Sequence, residues 1–191
     1  MGARTAFNLR ANGHLDGRVL PRLVGLMLCD RGRSVDQART LTSVSVFRGE
    51  PSPLHSPKGQ SACQRQVDRW SQQARVQVIT RPLKYYSRTL QDGRTSFEAR
   101  EKGIDVLIAL AMVTGAMRNA FDVAILFSAD SDLAPALEQI RESGKVCEVA
   151  AWRSPNTHSP RLSTNGRNPW CHWLDEHDYH RVHDDTDHLR T

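Results

Sequence analysis

Residues 121–148 read FDVAILFSADSDLAPALEQIRESGKVCE, and the fold turns on this stretch. Val123, Ala124, Ile125, Leu126 and Phe127 run apolar without alternation, as in a parallel strand covered on both faces. A helix is expected over 133–143: Leu133, Leu137 and Ile140 recur at i, i+4 and i+7, and Pro135 falls in the first turn, where proline is tolerated. Gly144 suits the C′ position that closes the helix, and residues 146–151 resume as a strand. Between strand and helix stands Ser128-Ala129-Asp130-Ser131-Asp132. Two carboxylates are thereby set at the carboxyl end of a parallel strand, where open α/β sheets place their ligands.

A strand-to-helix turn wants Asp or Ser at its N-cap, so either Asp130 or Asp132 is accounted for by capping alone. Capping needs only one of them. Two carboxylates two residues apart leave a divalent-metal or catalytic site open as the second reading.

Upstream, residues 98–119 read EAREKGIDVLIALAMVTGAMRN, a strongly apolar helix with Asp105 in or just before its first turn. Taken alone, Asp105 is explained by the helix dipole, a contribution of up to about 1 kcal/mol. Taken together, EKGIDV, the apolar helix, FDVAILFSADSDL and the following G-K-V resemble the NYN family of PIN-like nuclease domains, closely over residues 101–149. The resemblance implies a three-layer α/β/α, Rossmann-like fold with a mainly parallel sheet. It also implies metal-dependent hydrolysis of RNA phosphodiesters, with Asp105, Asp130 and Asp132 as the catalytic and metal-binding acids around Mg²⁺ or Mn²⁺. Single-stranded RNA is the implied partner, and a homo-oligomer is compatible with it.

The family opens with a hydrophobic strand ending in an Asp-Gly-x-Asn or Asp-Ala-Phe-Asn signature whose Asp is a further metal-site acid. Here Thr5-Ala6-Phe7-Asn8 puts Thr5 in the Asp position and Asn8 on the Asn. Alternatively, Gly2-Ala3-Arg4 follows a signature upstream of Met1. Either way the first acid and its strand are expected to be missing or degenerate. The alternative function is therefore a catalytically inactive nucleic-acid-binding or regulatory module. A small-molecule phosphate binder is disfavoured, because no G-x-G-x-x-G or P-loop follows any strand.

The charge distribution agrees with a polyanionic partner. Residues 1–100 carry 17 Lys/Arg against 7 Asp/Glu and residues 101–191 carry 9 against 14, so a basic half faces an acidic one. A polyanion drawn to a cation-requiring centre accounts for this asymmetry; solubility accounts for the arginines equally well. No stretch approaches the roughly 20 apolar residues of a membrane span. Cys29, Cys63, Cys147 and Cys171 are scattered without a Cys-x-x-Cys, which favours reduced thiols and a cytoplasmic setting.

Elsewhere, 18–31 carries Leu20, Leu23, Val24, Met27 and Leu28 on one helical face, with Gly32 as terminator. Residues 42–47 and 75–79 read as strands, 48–59 as a proline-rich loop holding His55 and Lys58, and 60–74 as a polar helix. Arg81, Lys84, Tyr85, Tyr86 and Arg88 interleave cations with aromatics, a pattern that suits phosphate contact plus base stacking and equally a loop with tyrosines under arginine stems. Asp92-Gly93 marks a turn. The expected organisation is a domain over 1–152, then a Pro/Ser/Asn-rich loop and a solvated His/Asp-rich tail over 153–191. Within that tail, Trp170, Trp173 and Leu174 are the residues suited to pack back on the domain as a short terminal helix or strand.

Overall fold

The computed structural model describes residues 19–31, 39–128, 130–153, 162–164 and 168–189. Residues 1–18, Gly32, Ala129 and most of the Ser/Pro-rich loop, on which some of these expectations rest, lie outside the described residues. In chain order the elements are α1 (Pro21–Asp30), β1 (Val44–Glu50), α2 (Pro57–Ser71), β2 (Val76–Pro82), β3 (Lys84–Thr89), β4 (Thr95–Arg100) and α3 (Ile104–Met117). These are followed by β5 (Val123–Leu126), a 3₁₀ turn (Ser131–Leu133), α4 (Ala134–Glu142), β6 (Val146–Trp152), β7 (Trp170–Leu174) and α5 (Glu176–Val182).

Strands β5, β6 and β7 form a parallel sheet with β6 in the middle. Alternation along each strand then divides the apolar side chains between two layers. Ala124, Leu126, Cys147, Val149 and Cys171 join Ala116 of α3 and Leu137 and Ile140 of α4 in one buried cluster. Ala150, Trp152 and Leu174, with Ile125 against them, join Val24, Met27 and Leu28 of α1 and Tyr179 and Val182 of α5 in the other. Helices thus cover both faces, which is why these strands read as continuous apolar runs. The arrangement is the expected α/β/α fold.

Strands β1 and β2 pair in parallel as a second small sheet, connected through α2, which packs on β2. Helices α1 and α3 both also contact β1, so the two parallel sheets share the same covering helices.

Two expectations are corrected. Residues 98–100 are not the start of the apolar helix: β3 and β4 form an antiparallel hairpin, pairing Tyr85 with Ala99 and Tyr86 with Glu98. The β-favouring Tyr85, Tyr86, Thr89, Thr95 and Phe97 override the helical reading of EAREK, and Gly103, at φ 80°, turns the chain before α3 begins. The packing back of Trp170, Trp173 and Leu174 as a strand agrees with expectation; the second correction concerns the solvated His/Asp-rich tail around it. There β7 extends the sheet, α5 is closed by a reciprocal capping box between Asp175 and Asp178, and Asp178, Asp184, His172 and His188 are all buried. Asp184 accepts hydrogen bonds from Trp70 Nε1 at 3.0 Å and His188 Nε2 at 3.1 Å, which pins the chain after α5 onto α2.

The other buried polar group is built around Glu148 of β6. Its carboxylate accepts two bonds from the Arg39 guanidinium, at 2.7 and 2.9 Å, and one from His172 Nε2 at 2.7 Å. All four cysteines carry free thiols. Among the described residues no helix is long and apolar enough to cross a membrane.

Candidate active site

The acidic turn begins where β5 ends. The Asp130 N–H donates to Ser128 Oγ at 3.1 Å, and Asp130 Oδ1 accepts from the Asp132 N–H at 3.0 Å. Asp130 is therefore the N-cap of the 3₁₀ turn, so capping does account for one of the two acids. It does not account for Asp132, whose exposed carboxylate makes no hydrogen bond or ion pair among the described residues. Leu133, 1% exposed, anchors the turn in the same apolar cluster that receives Ile108 and Ala109 of α3.

Asp105 lies in the first turn of α3 and is likewise exposed. Two contacts tie the start of that helix to the carboxyl ends of the other parallel pair. Glu101 Oε1 accepts from the Gly49 N–H near the end of β1, at 2.7 Å. The Arg81 guanidinium, near the end of β2, lies against Gly103, where an added Cβ would stand 3.2 Å from Arg81 Cζ. Gly103 is favoured by its positive φ, which a side chain adopts only with strain. Helix α3 itself packs against the 3₁₀ turn. Both acid-bearing segments therefore lie toward the carboxyl end of the parallel strands.

The structure stops short of gathering all three acids. Among the described residues, no three His, Cys, Asp or Glu side chains come together as a group able to hold a metal ion. Asp130 and Asp132 share one turn and offer hard carboxylate oxygens. Such a pair fits Mg²⁺, which is commonly held by one or two carboxylates with water and substrate phosphate as the remaining ligands. Sequence reasoning missed Glu101 and the position of Arg81, since both depend on contacts between segments far apart in the chain.

Parallel strands sandwiched between helices, with acids at the strands' carboxyl ends, define an α/β/α domain whose candidate site lies at those ends. The family model described as NYN domain matches residues 26–165, and the chain belongs to that family. NYN domains are PIN-like nuclease domains that act on nucleic acid and generally use divalent metal. Comparison with curated proteins and with solved structures gave no match.

Proposed function

We propose that this chain is a metal-dependent ribonuclease that hydrolyses phosphodiester bonds of single-stranded RNA. The reading is carried by the exposed Asp130–Asp132 turn at the end of β5, with α3 packed against it, in a chain of the NYN family. Asp130 and Asp132 would hold Mg²⁺ or Mn²⁺, with Asp105 as the third acid. A divalent ion held there supplies Lewis-acid stabilisation of charge on the phosphoryl oxygens and lowers the pKa of water. The chain's own part is to keep carboxylates uncompensated by nearby cations, so that a cation is attracted, and to place a guanidinium at the start of α3. Among the described residues, none of the three acids is ion-paired with Lys or Arg. Arg81 beside Gly103 is positioned to offset phosphate charge that the carboxylates would otherwise repel.

A second reading, a nucleic-acid-binding module without turnover, is favoured by one observation: among the described residues the three acids are not gathered into one metal-holding group. Incubating labelled single-stranded RNA with the chain, with and without Mn²⁺, separates the two. The nuclease reading expects cleavage that requires Mn²⁺ and falls at least about a hundredfold in Asp130→Asn and in Asp132→Asn. Bound but intact RNA under every condition would leave the binding module as the function.

A further inference from the structure

The β3–β4 hairpin has two unlike faces, and the packing of the described residues uses only one of them. Its register puts Tyr85, Phe97 and Ala99 on one side and Lys84, Tyr86, Arg88, Glu98 and Arg100 on the other. The first side rests against the loop around Ser52 and His55 chiefly through Tyr85, while Phe97 stays 53% exposed. The His55 ring stacks on Tyr85 at 4.2 Å and tilts against Phe97 at 4.6 Å, and Tyr85 Oη accepts from the Ser52 N–H at 3.0 Å. This seating matters because an isolated two-stranded hairpin is marginal in water.

The second side looks into solvent. Tyr86 is 47% exposed, and the Arg100 guanidinium lies over its ring, 5.6 Å from the centroid. Arg100 is also paired with Glu98 at 3.0 Å, which holds the guanidinium in place along the strand. Lys84 and Arg88 flank Tyr86 two residues away on either side of it, on the same face, and neither is ion-paired among the described residues. One acid against three cations leaves this face basic around a single exposed ring. Solubility accounts for the cations, and strand propensity with the Arg100 contact accounts for a tyrosine at this position, yet about half of its surface remains open to solvent among those cations.

The root of the hairpin makes the position informative. Strand β3 starts two residues after the end of β2, where Arg81 meets Gly103; β4 ends at Arg100, next to Glu101 and five residues before Asp105. Each strand, six residues long, reaches about 20 Å from that root.

We propose that the outer face of the hairpin is a docking arm for single-stranded RNA, with Lys84 and Arg88 on phosphates and the Tyr86–Arg100 pair stacking an unpaired base, so that the strand leads toward the acidic turn. The chemistry that selects this partner is the combination of phosphate charge and an exposed base face. A duplex hides its base faces, and an acidic peptide has none. The inference rests on the proposed action on RNA and adds to it the surface that receives the substrate.

The test is fluorescence anisotropy of labelled oligouridylate titrated with the full chain in EDTA, so that binding is read without turnover. Thermal melts confirm that each variant, altered only at exposed positions, stays folded. Tyr86→Ala is expected to weaken binding by about five- to a hundredfold without changing its salt dependence. The double variant Lys84→Gln/Arg88→Gln is expected to weaken binding and to flatten the slope of log Kd against log salt by about 0.7 for each phosphate left without a cation. Duplex RNA and polyglutamate should compete poorly. Unchanged affinity in both variants, or equal competition by polyglutamate, overturns the arm. A wild-type chain that binds through the arm yet never cleaves when Mn²⁺ is supplied overturns the nuclease reading alone. One that binds no RNA in EDTA overturns the arm, and overturns both only where Mn²⁺-dependent cleavage is also absent.

Discussion

At the residue scale, Asp130 serves local structure and candidate chemistry together, and the two roles separate by substitution. Its Oδ1 caps the 3₁₀ turn by accepting from the Asp132 N–H. Asparagine offers the same oxygen and is as good an N-cap. Asp130→Asn should therefore melt within about 0.5 kcal/mol of wild type, while Asp130→Ala should lose about 1 kcal/mol along with the cap. Equilibrium urea unfolding of the two variants checks this. Similar, large losses in both would mean that the negative charge itself holds the turn. Asp132 gives the contrast: its carboxylate has no partner among the described residues, so its neutralisation should leave stability unchanged. Sequence reading could name both acids but not divide their roles, because the division depends on which backbone N–H each oxygen meets.

At the element scale, the segment after α5 works as a strap. Asp184 is fully buried and receives Trp70 Nε1, His188 Nε2 and the Thr186 N–H, while Arg65 donates to the His188 carbonyl. Asp184→Ala would leave buried donors on Trp70 and His188 without an acceptor, at about 1–3 kcal/mol each. Trp70→Phe keeps most of the ring and removes one donor, at about 1 kcal/mol. Because the two residues share a bond, the double variant should be less destabilised than the sum of the singles. Thermal melts of all three and the rate of proteolysis within 176–189 measure the effect. Additive losses and an unchanged cleavage rate would show that the strap does not hold the tail down. The strap was not visible in sequence, where Asp and His in alternation read as a solvated tail. Burial of Asp184 is offset by Trp70, which stands 114 positions away in the chain.

At the scale of the whole molecule, two buried carboxylates couple the fold to acid. Burial pushes the Glu148 carboxyl upward, but the bonds from Arg39 and His172 outweigh it and hold the group down at about 2. Asp184 is likewise held at about 2 against its burial, by His188, Trp70 and Thr186. Both folded values lie below the ordinary ones of 4.5 and 3.8. The unfolded chain therefore binds protons first as pH falls. The stability these groups contribute is complete above about pH 5 and is lost progressively between there and about pH 2. Melting temperature should follow that course, and Glu148→Gln should flatten it while costing about 3–5 kcal/mol at neutral pH, since Arg39 is left with a mostly buried, uncompensated charge. An undiminished acid slope in the variant would place the linkage elsewhere.

The sequence by itself determined the α/β alternation, the strand–acidic turn–helix unit around Asp130 and Asp132, and the family. Each of these is local: a run of apolar residues, a cap, a helical period, a motif read along one stretch. Only the tertiary structure decided that residues 98–100 belong to a hairpin rather than a helix, that Trp170–Leu174 pack back as a sheet strand rather than as a helix, with a strap after them, and that Asp130 rather than Asp132 caps the turn. It also decided that Arg81 stands at the start of α3. These depend on cross-strand pairing and on which buried polar groups find partners, and neither is encoded in the neighbourhood of any one residue.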